Sequence, residues 1–194
     1  FPTPKPNFAP IYNNLGNILH EQGDLELAIR NYGIATSKDP EFAGAHFGRA
    51  LALLSIGDFD EGLAEYEWRK EKKDNDIKSR EFSIPLWNGD PHPGEQIFVW
   101  KEQGIGDQIL YGGLLQNMAV KDTTFALEVD ARLSSLFSRA MHEIDVLPPD
   151  ASFNSTKGKI EDRFAAHIPI ASLMLANSPW PKNYKPKKSS ENKY

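Results

Sequence analysis

The sequence predicts a helical repeat region followed by a parallel α/β domain. A 34-residue pattern occurs twice in residues 9–73, and each copy contains two stretches with helical spacing of apolar residues. From residue 96 onward, short apolar runs alternate with helical patterns, which is typical of βαβ units and a parallel sheet. Residues 96–110 join the first strand of that sheet to its first helix through a glycine loop, and the rest of the chain is organised around this stretch.

The composition excludes several classes of protein. Hydrophobic residues make up 40% and charged residues 25% of the 194, as in ordinary globular domains. The net charge of −5 argues against a nucleic-acid partner. The absence of cysteine excludes disulfides and thiolate metal sites and favours a reducing, cytoplasmic location. Histidines and carboxylates lack metal-site spacing, and no apolar run approaches the roughly 20 residues of a membrane span, so we expect neither a metal nor a span.

Four segments follow from the local composition. Residues 1–75 hold the helical repeats, and residues 96–180 hold the α/β domain. Residues 76–95 are rich in proline and glycine but also carry large apolar side chains, which indicates an ordered connector rather than a flexible linker. Residues 181–194, dominated by lysine, proline, serine and asparagine, predict a mobile basic tail.

Each repeat divides at a Gly-Asp pair, Gly23-Asp24 in the first copy and Gly57-Asp58 in the second. Glycine supplies the left-handed residue that ends one helix, and aspartate is a favoured N-cap of the next. The predicted helices are 10–22, 25–38, 42–56 and 59–72.

The first copy resembles the tetratricopeptide repeat (TPR), through Tyr12, Leu15-Gly16, Ala28, Tyr32, Ala35 and Pro40. The second copy departs from that pattern at His46, Arg49, Arg69 and Asp74. The resemblance implies about two TPR hairpins with a concave groove that binds a protein or peptide. The candidates to line its inner face are Asn13, Asn14, Asn17, His46 and Arg49. The alternatives are solvated polar positions and an array that acts only as a rigid spacer or lid.

The α/β domain is predicted to contain four strands and three helices. The strands are 97–100, 124–129, 144–147 and 165–169. The helices are 107–119, 131–141 and 170–176.

The loop at residues 104–107 is neither a Walker A motif, since no Gly-Lys-Ser/Thr follows, nor a complete dinucleotide fingerprint, since Ile109 replaces the third glycine. Gly104 and Gly106 would let a ligand or a neighbouring backbone come close. Asp107 would repel an anion at the helix start, which favours a ligand hydroxyl whose proton the carboxylate accepts. The alternative for Asp107 is an N-cap.

The polar residues before the loop are weaker candidates. Glu102 could share acid and base work with Asp107 if their environments separated the two pKa values. Lys101 and Gln103, together with the two glycines, are candidates to bind substrate. A solvated position is the alternative for Glu102 and Lys101.

Five segments together resemble bacterial TPR proteins that carry a glycosyltransferase-like region: residues 65–69, 85–89, 100–107, 127–133 and 166–173. That region is similar to the heptosyltransferase type of GT-B fold and, more distantly, to O-linked N-acetylglucosamine (GlcNAc) transferases. The resemblance implies a Rossmann-like α/β domain, the N-terminal half of a GT-B enzyme. It also implies inverting transfer to a sugar-bearing acceptor, with Asp107 as the candidate general base.

A GT-B enzyme binds its nucleotide-sugar donor mostly with a second Rossmann-like half. We expect residues 96–180 to form the first half only, so that the chain alone is inactive and holds no cofactor. A nucleotide-sugar donor is then implied only for a full-length protein with a donor domain, which leaves open whether this chain is an enzyme. The alternative is a non-catalytic TPR interaction module whose α/β domain is structural.

Overall fold

A computed structural model describes residues 8–72, 80, 82–102, 104–118, 122–149 and 160–176. These residues fall into two compact units, one on each side of the gap at 73–79. The first unit is helical, and the second is built on a parallel sheet. The predicted fold class, TPR-type helical hairpins followed by a parallel α/β domain, is confirmed.

The first unit consists of two helical hairpins. Its helices are α1 (Ala9–Gln22), α2 (Leu25–Lys38), α3 (Ala43–Ile56) and α4 (Phe59–Tyr66). The fourth predicted helix is wrong beyond Tyr66, because the chain tightens there into a 3₁₀ helix over Glu67–Glu71. Buried Arg69, where the TPR pattern prefers alanine, stacks its guanidinium on the Tyr66 ring and donates to the Tyr66 carbonyl within this turn.

The two glycines end their helices as predicted. Gly23 and Gly57 have φ values of 84° and 85°, which side chains with a Cβ rarely adopt. The aspartates that follow differ from each other. Asp58 caps α4 by accepting the Glu61 N–H at 3.3 Å, whereas Asp24 makes no side-chain cap bond, so the predicted cap is wrong for Asp24.

Small residues let the helices of the first unit approach closely. Tyr32 on α2 lies between Gly16 of α1 and Gly48 of α3. A Cβ on Gly16 would lie 2.7 Å from the Tyr32 ring, and one on Gly48 would lie 2.6 Å away. The buried alanines of α2 and α3 complete this core: Ala28, Ala35, Ala45 and Ala52. Close packing of the hairpins therefore depends on glycine at positions 16 and 48.

The second unit has a four-stranded parallel sheet in the order β3-β2-β1-β4. Its strands are β1 (Gln96–Trp100), β2 (Thr124–Glu128), β3 (Asp145–Leu147) and β4 (Ala166–Pro169). Its α-helices are α5 (Ile105–Gly112), α6 (Ala131–Ala140) and α7 (Leu173–Ala176), and short 3₁₀ helices cover Gly113–Asn117, Ile160–Asp162 and Ile170–Ser172. All four predicted strands are present.

The two faces of the sheet are covered differently. Helices α5 and α6 meet over one face, where Gly112 lies against Phe137 and close to Leu127. The other face, which includes Phe98 and Trp100, packs against side chains from outside the strands and α-helices: Phe82, Ile84, Ile160 and Phe164. Residues 82–95 therefore belong structurally to the α/β unit.

Residues 85–87 also extend the sheet beyond β4. The Trp87 N–H donates to the His167 carbonyl at 2.8 Å, and the His167 N–H donates to the Pro85 carbonyl at 2.9 Å. The bridge is parallel, like the sheet itself.

Candidate functional site

The carboxyl edge of the sheet forms a crevice beside β1. Strand β1 lies between β2 and β4, and the chain leaves β1 through α5 to reach β2. The loop after β1 and the turn after β4 thus run on opposite sides of a topological switch point. In open α/β sheets, ligands bind outside the carboxyl ends of the strands at such a point.

Glu102 connects these two loops. Its Oε1 accepts the backbone N–H of Ala171 at 2.9 Å, which ties the loop after β1 to the 3₁₀ helix after β4. One oxygen of this carboxylate therefore has a structural partner. The acid–base role suggested for Glu102 stays a prediction.

Glu128, at the end of β2, is a third acid of this edge that the sequence patterns did not single out. It is fully buried, and its Oε2 accepts the Lys101 N–H at 3.3 Å and a bond from the Arg80 guanidinium. A buried carboxylate needs such partners, because an unpaired charge is costly away from water. The signal in the sequence is a single acid within the otherwise apolar run of residues 125–129.

The Arg80 guanidinium is held by aromatic rings as well as by Glu128. It lies 5.1 Å from the ring centroid of Phe82 and 5.7 Å from those of Phe98 and Trp100. These rings fix the cation over the end of β1. Glu128 and Arg80 together therefore hold the loop after β1 from the side of β2.

Asp107 lies in the first turn of α5 rather than at its N-cap. Helix α5 begins at Ile105, two residues earlier than predicted, because Gly104 takes the extended N-cap conformation with φ −63° and ψ 174°. The N-cap interpretation of Asp107 is therefore wrong. Its half-buried carboxylate faces the positive end of the helix dipole, and no described residue donates a hydrogen bond to it.

The two loop glycines leave open space beside this carboxylate. A Cβ added to Gly106 would have no atom within 4 Å, and one added to Gly104 would lie 3.6 Å from Asp107 Oδ2. Neither glycine has a positive φ, so the backbone does not require glycine here. Of the other predicted substrate contacts, Lys101 is half-buried and Gln103 lies outside the described residues.

Two side chains fix the start of α6 next to α5. Buried Gln108 accepts the Asp130 N–H through Oε1 at 2.8 Å, which joins α5 to the end of β2. Asp130 caps α6 by accepting the Arg132 N–H at 3.0 Å and also binds the Arg132 guanidinium. The hydrogen bonds from Arg132 hold the pKa of Asp130 well below its usual range, with a smaller contribution from Lys101.

The asparagines predicted to line the TPR groove lie on α1. The Tyr32 hydroxyl donates to Asn17 Oδ1 at 2.8 Å, so Asn17 helps to position the central aromatic ring of the hairpin. The Oδ1 atom of Asn13 is buried and accepts no hydrogen bond from the described part of the chain. Their role in a groove stays a prediction.

His46 and Arg49 direct their polar groups at α4 of their own repeat. His46 contacts Glu65 Oε2 through Nδ1 at 2.5 Å and the Pro40 carbonyl through Nε2 at 2.9 Å. Arg49 donates to Glu65 Oε1 at 2.6 Å and to Glu61 Oε1 at 2.5 Å. Both residues thus take part in packing within the second repeat, and their groove role stays a prediction.

This network explains how the second repeat departs from the TPR pattern. His46 and Arg49 are three residues apart on α3, so they lie on one face of that helix. Glu61 and Glu65 are four residues apart on the facing side of α4, and the two polar faces bond to each other. The His46 ring also stacks on Trp68, with centroids 4.0 Å apart and planes 5° apart. The pairing of these spacings was a signal available in the sequence.

The described ranges hold neither a metal-binding cluster nor a membrane-spanning helix. These ranges contain no group of three or more histidine and acidic side chains placed to hold a metal ion. None of the helices in the same ranges combines the length and apolar character needed to cross a bilayer.

Comparison with known proteins supports the repeat assignment. Residues 16–57 match the TPR repeat family. The chain is 30% identical over 153 residues to Protein FlbA of Caulobacter vibrioides, and the match covers 73% of this chain and 25% of FlbA. The chain therefore spans about a quarter of the length of that relative.

One solved structure that matches is an O-GlcNAc transferase mutant from Thermobaculum terrenum. The identity is 19%, and the match covers 74% of this chain and 28% of that chain, with a TM-score of 0.33. A likeness at that score carries no argument about activity. What is established is a TPR-containing chain with a parallel α/β unit.

Proposed function

We propose that this TPR-containing chain provides the acceptor-binding half of an inverting, nucleotide-sugar-dependent glycosyltransferase, with Asp107 as the general base. The observation that carries the proposal is the position of the Asp107 carboxylate. It is half-buried in the first turn of α5 at the carboxyl edge of the sheet, and no described residue donates a hydrogen bond to it. An acid in this position is available to accept a hydrogen bond from a ligand hydroxyl.

The proposed chemistry uses the neighbouring open space. A sugar hydroxyl would enter beside Gly104 and Gly106, where side chains are absent, and donate its hydrogen bond to Asp107. As the acceptor oxygen bonds to the anomeric carbon, its proton passes to the carboxylate, and the nucleotide leaves with the electrons of the bond that breaks. General-base catalysis of this kind contributes roughly 10²- to 10⁴-fold to a rate. Lys101 and Gln103 remain the proposed further contacts to substrate.

The donor would be bound elsewhere in the whole protein. A diphosphate at the start of α5 would be repelled by Asp107, although a helix N-terminus otherwise attracts anions. The proposal therefore assigns the nucleotide sugar to a second α/β half and the acceptor to the crevice beside β1. A cytoplasmic location, where nucleotide sugars are made, is part of the same proposal.

The test is the Asp107→Asn variant of the full-length protein. We expect sugar transfer to fall by about 10²-fold or more with acceptor binding retained, because asparagine keeps the shape of the side chain and loses the base. Asp122→Asn is the matched control, since Asp122 is an exposed acid at the amino end of β2, away from the crevice. Equal transfer by Asp107→Asn and wild type would remove Asp107 from the mechanism.

A second function, a non-catalytic interaction module that binds a protein or peptide through the TPR groove, is favoured by one observation. Glu102 and Glu128, the other acids of the crevice, are bonded to main chain or to Arg80 and stabilise the loops. If this function is correct, partners captured by the full-length protein should be lost in an Asn13→Ala, Asn17→Ala double variant and kept in Asp107→Asn. Partner capture by a double variant that keeps its helical circular dichroism would count against it.

A further inference from the structure

Helix α1 and its N-cap residue, Phe8, carry a row of large apolar side chains that are exposed. They stand three or four residues apart and so lie along one side of the helix: Phe8, Ile11, Leu15 and Ile18. No charged residue occurs between Ala9 and Leu19. Solvated helix faces normally carry charges, and contiguous exposed apolar surface marks a site of interaction.

The 34-residue period identifies the residues of α3 that are equivalent to this face of α1. Ile11 is equivalent to Ala45, and Ile18 is equivalent to Ala52. Ala45 and Ala52 are 0% exposed, since the preceding helix α2 covers them with Ala35, Ala28 and Tyr32. Ile11 and Ile18 are 61% and 53% exposed at the same repeat positions.

The pattern of the repeat also continues before α1. Pro6 and Phe8 stand 34 residues before Pro40 and Phe42, which form the joint between α2 and α3. The sequence ahead of α1 thus matches the joint that links one hairpin to the next. The exposed face of α1 is the periodic continuation of the α2–α3 interface.

One position restricts what can cover this face. Gly48 on α3 makes room for the Tyr32 ring, and its equivalent on α1 is the exposed Asn14. A side chain at the Gly48 position would begin 2.6 Å from that ring. A helix that approached α1 as α2 approaches α3 could therefore not place an aromatic ring over Asn14.

We infer that the α1 face formed by Ile11, Asn14, Leu15 and Ile18 is the docking surface for a further TPR-type hairpin, stacked before α1 as α1 and α2 stack on α3. The second helix of this docked hairpin presents alanine or glycine to Ile11 and Ile18. It presents an aliphatic side chain, not an aromatic one, to Asn14. The face has no charge to select an ionic partner. This surface lies on the helical unit and does not depend on the proposed activity.

The test is a fusion that preserves the repeat register. Residues 1–5 are replaced by a copy of residues 9–39 in which the copy of Tyr32 is leucine, so that Pro6 follows in phase. We expect the α1 amides to exchange with solvent at least about tenfold more slowly than in the 194-residue chain. A fusion in which the copied hairpin keeps tyrosine at the Tyr32 position should slow the exchange of the α1 amides less.

Ile18→Glu separates docking from a general effect of the added hairpin. In the fusion it should remove the protection of α1, whereas in the 194-residue chain it should change α1 exchange little, because Ile18 is exposed there. Failure of the fused hairpin to slow exchange, or slowing that survives Ile18→Glu, would overturn the inference. A dimer of the 194-residue chain that Ile18→Glu dissociates would overturn it too, by assigning the face to a second copy.

Discussion

Glu102 Oε1 accepts the Ala171 N–H at 2.9 Å and so joins the loop after β1 to the turn after β4. This hydrogen bond ties together the loops on the two sides of the switch point. Glu128 supports the same loop from β2 through the Lys101 N–H. The crevice at the carboxyl edge is therefore fixed by acids that bond to main chain, whereas none of the described residues donates a hydrogen bond to Asp107.

The bond between Glu102 and Ala171 predicts a difference between two substitutions. Glu102→Ala should lower the free energy of unfolding by about 1–3 kcal/mol, because the N–H of buried Ala171 loses its acceptor. Glu102→Gln retains an acceptor oxygen and should cost less. Urea denaturation measures both, and Glu143→Gln is the control at an exposed acid. Equal losses for Gln and Ala would show that the charge, not the acceptor, matters.

The glycines around Tyr32 predict opposite effects of the same substitution. Gly48→Ala should destabilise the fold by about 1–3 kcal/mol, because its Cβ would lie 2.6 Å from a ring already held on its other side by Gly16. Gly33→Ala, on the neighbouring helix α2, would meet only Arg49 Nε at 3.9 Å and should stabilise α2 by about 0.5–1 kcal/mol. Thermal unfolding compares the two, and a neutral Gly48→Ala would contradict the close packing.

Glu65 is predicted to matter more than Glu61, although both bind Arg49. Glu65→Ala removes the acceptor for both His46 and Arg49 in a largely buried network, and it should cost about 1–3 kcal/mol. The Glu61 side chain is 48% exposed, so Glu61→Ala should cost less than about 1 kcal/mol. Chemical denaturation of the two variants tests this order, and a larger loss for Glu61→Ala would refute the network as described.

Tyr32 predicts a loss of stability at alkaline pH. Burial, with a smaller effect of Glu21, raises the pKa of the Tyr32 phenol above its ordinary 10.0. The unfolded chain therefore releases this proton first. The protonated Tyr32 phenol therefore contributes to the free energy of unfolding. This contribution is fully present below about pH 10 and decreases as the pH rises above that value. In Tyr32→Phe this component of the decrease should disappear when unfolding is followed from pH 7 to pH 11.

Tyr32→Phe also removes the hydrogen bond to Asn17, which should cost about 0.5–1.5 kcal/mol at neutral pH. Asn17→Ala is the matched control, because it loses the same bond and keeps the phenol. We expect it to retain the alkaline decrease. If Asn17→Ala and Tyr32→Phe showed the same profile, ionisation of Tyr32 would not be the cause.

The elements were predictable where local signals agree. Gly23 and Gly57 mark helix ends because only residues without a Cβ readily adopt their φ. The strand positions follow from apolar runs that a parallel sheet buries on both faces, as with the adjacent residues Ile97 and Phe98. The sequence predicts the start of α5 two residues too late, because Asp107 is a common cap residue and the extended Gly104 leaves no sequence signature.

The site was less predictable than the fold. The sequence identified Asp107 and Glu102 as neighbours of one loop, but their environments depend on residues far along the chain. Glu102 meets Ala171, which is 69 positions away, and Glu128 meets Arg80, which is 48 positions away. The spacing of residues within one loop does not specify such partners.

By itself, the sequence determined the 34-residue repeat and the order of helices and strands, because these depend on periodicity and local backbone preference. Only the tertiary structure decided which polar groups bond to one another. It directed His46 and Arg49 to Glu65, occupied Glu102 with Ala171 and gave Asp107 no described donor. The physical reason is that hydrogen bonds and burial arise between distant segments, and only folding brings those segments together.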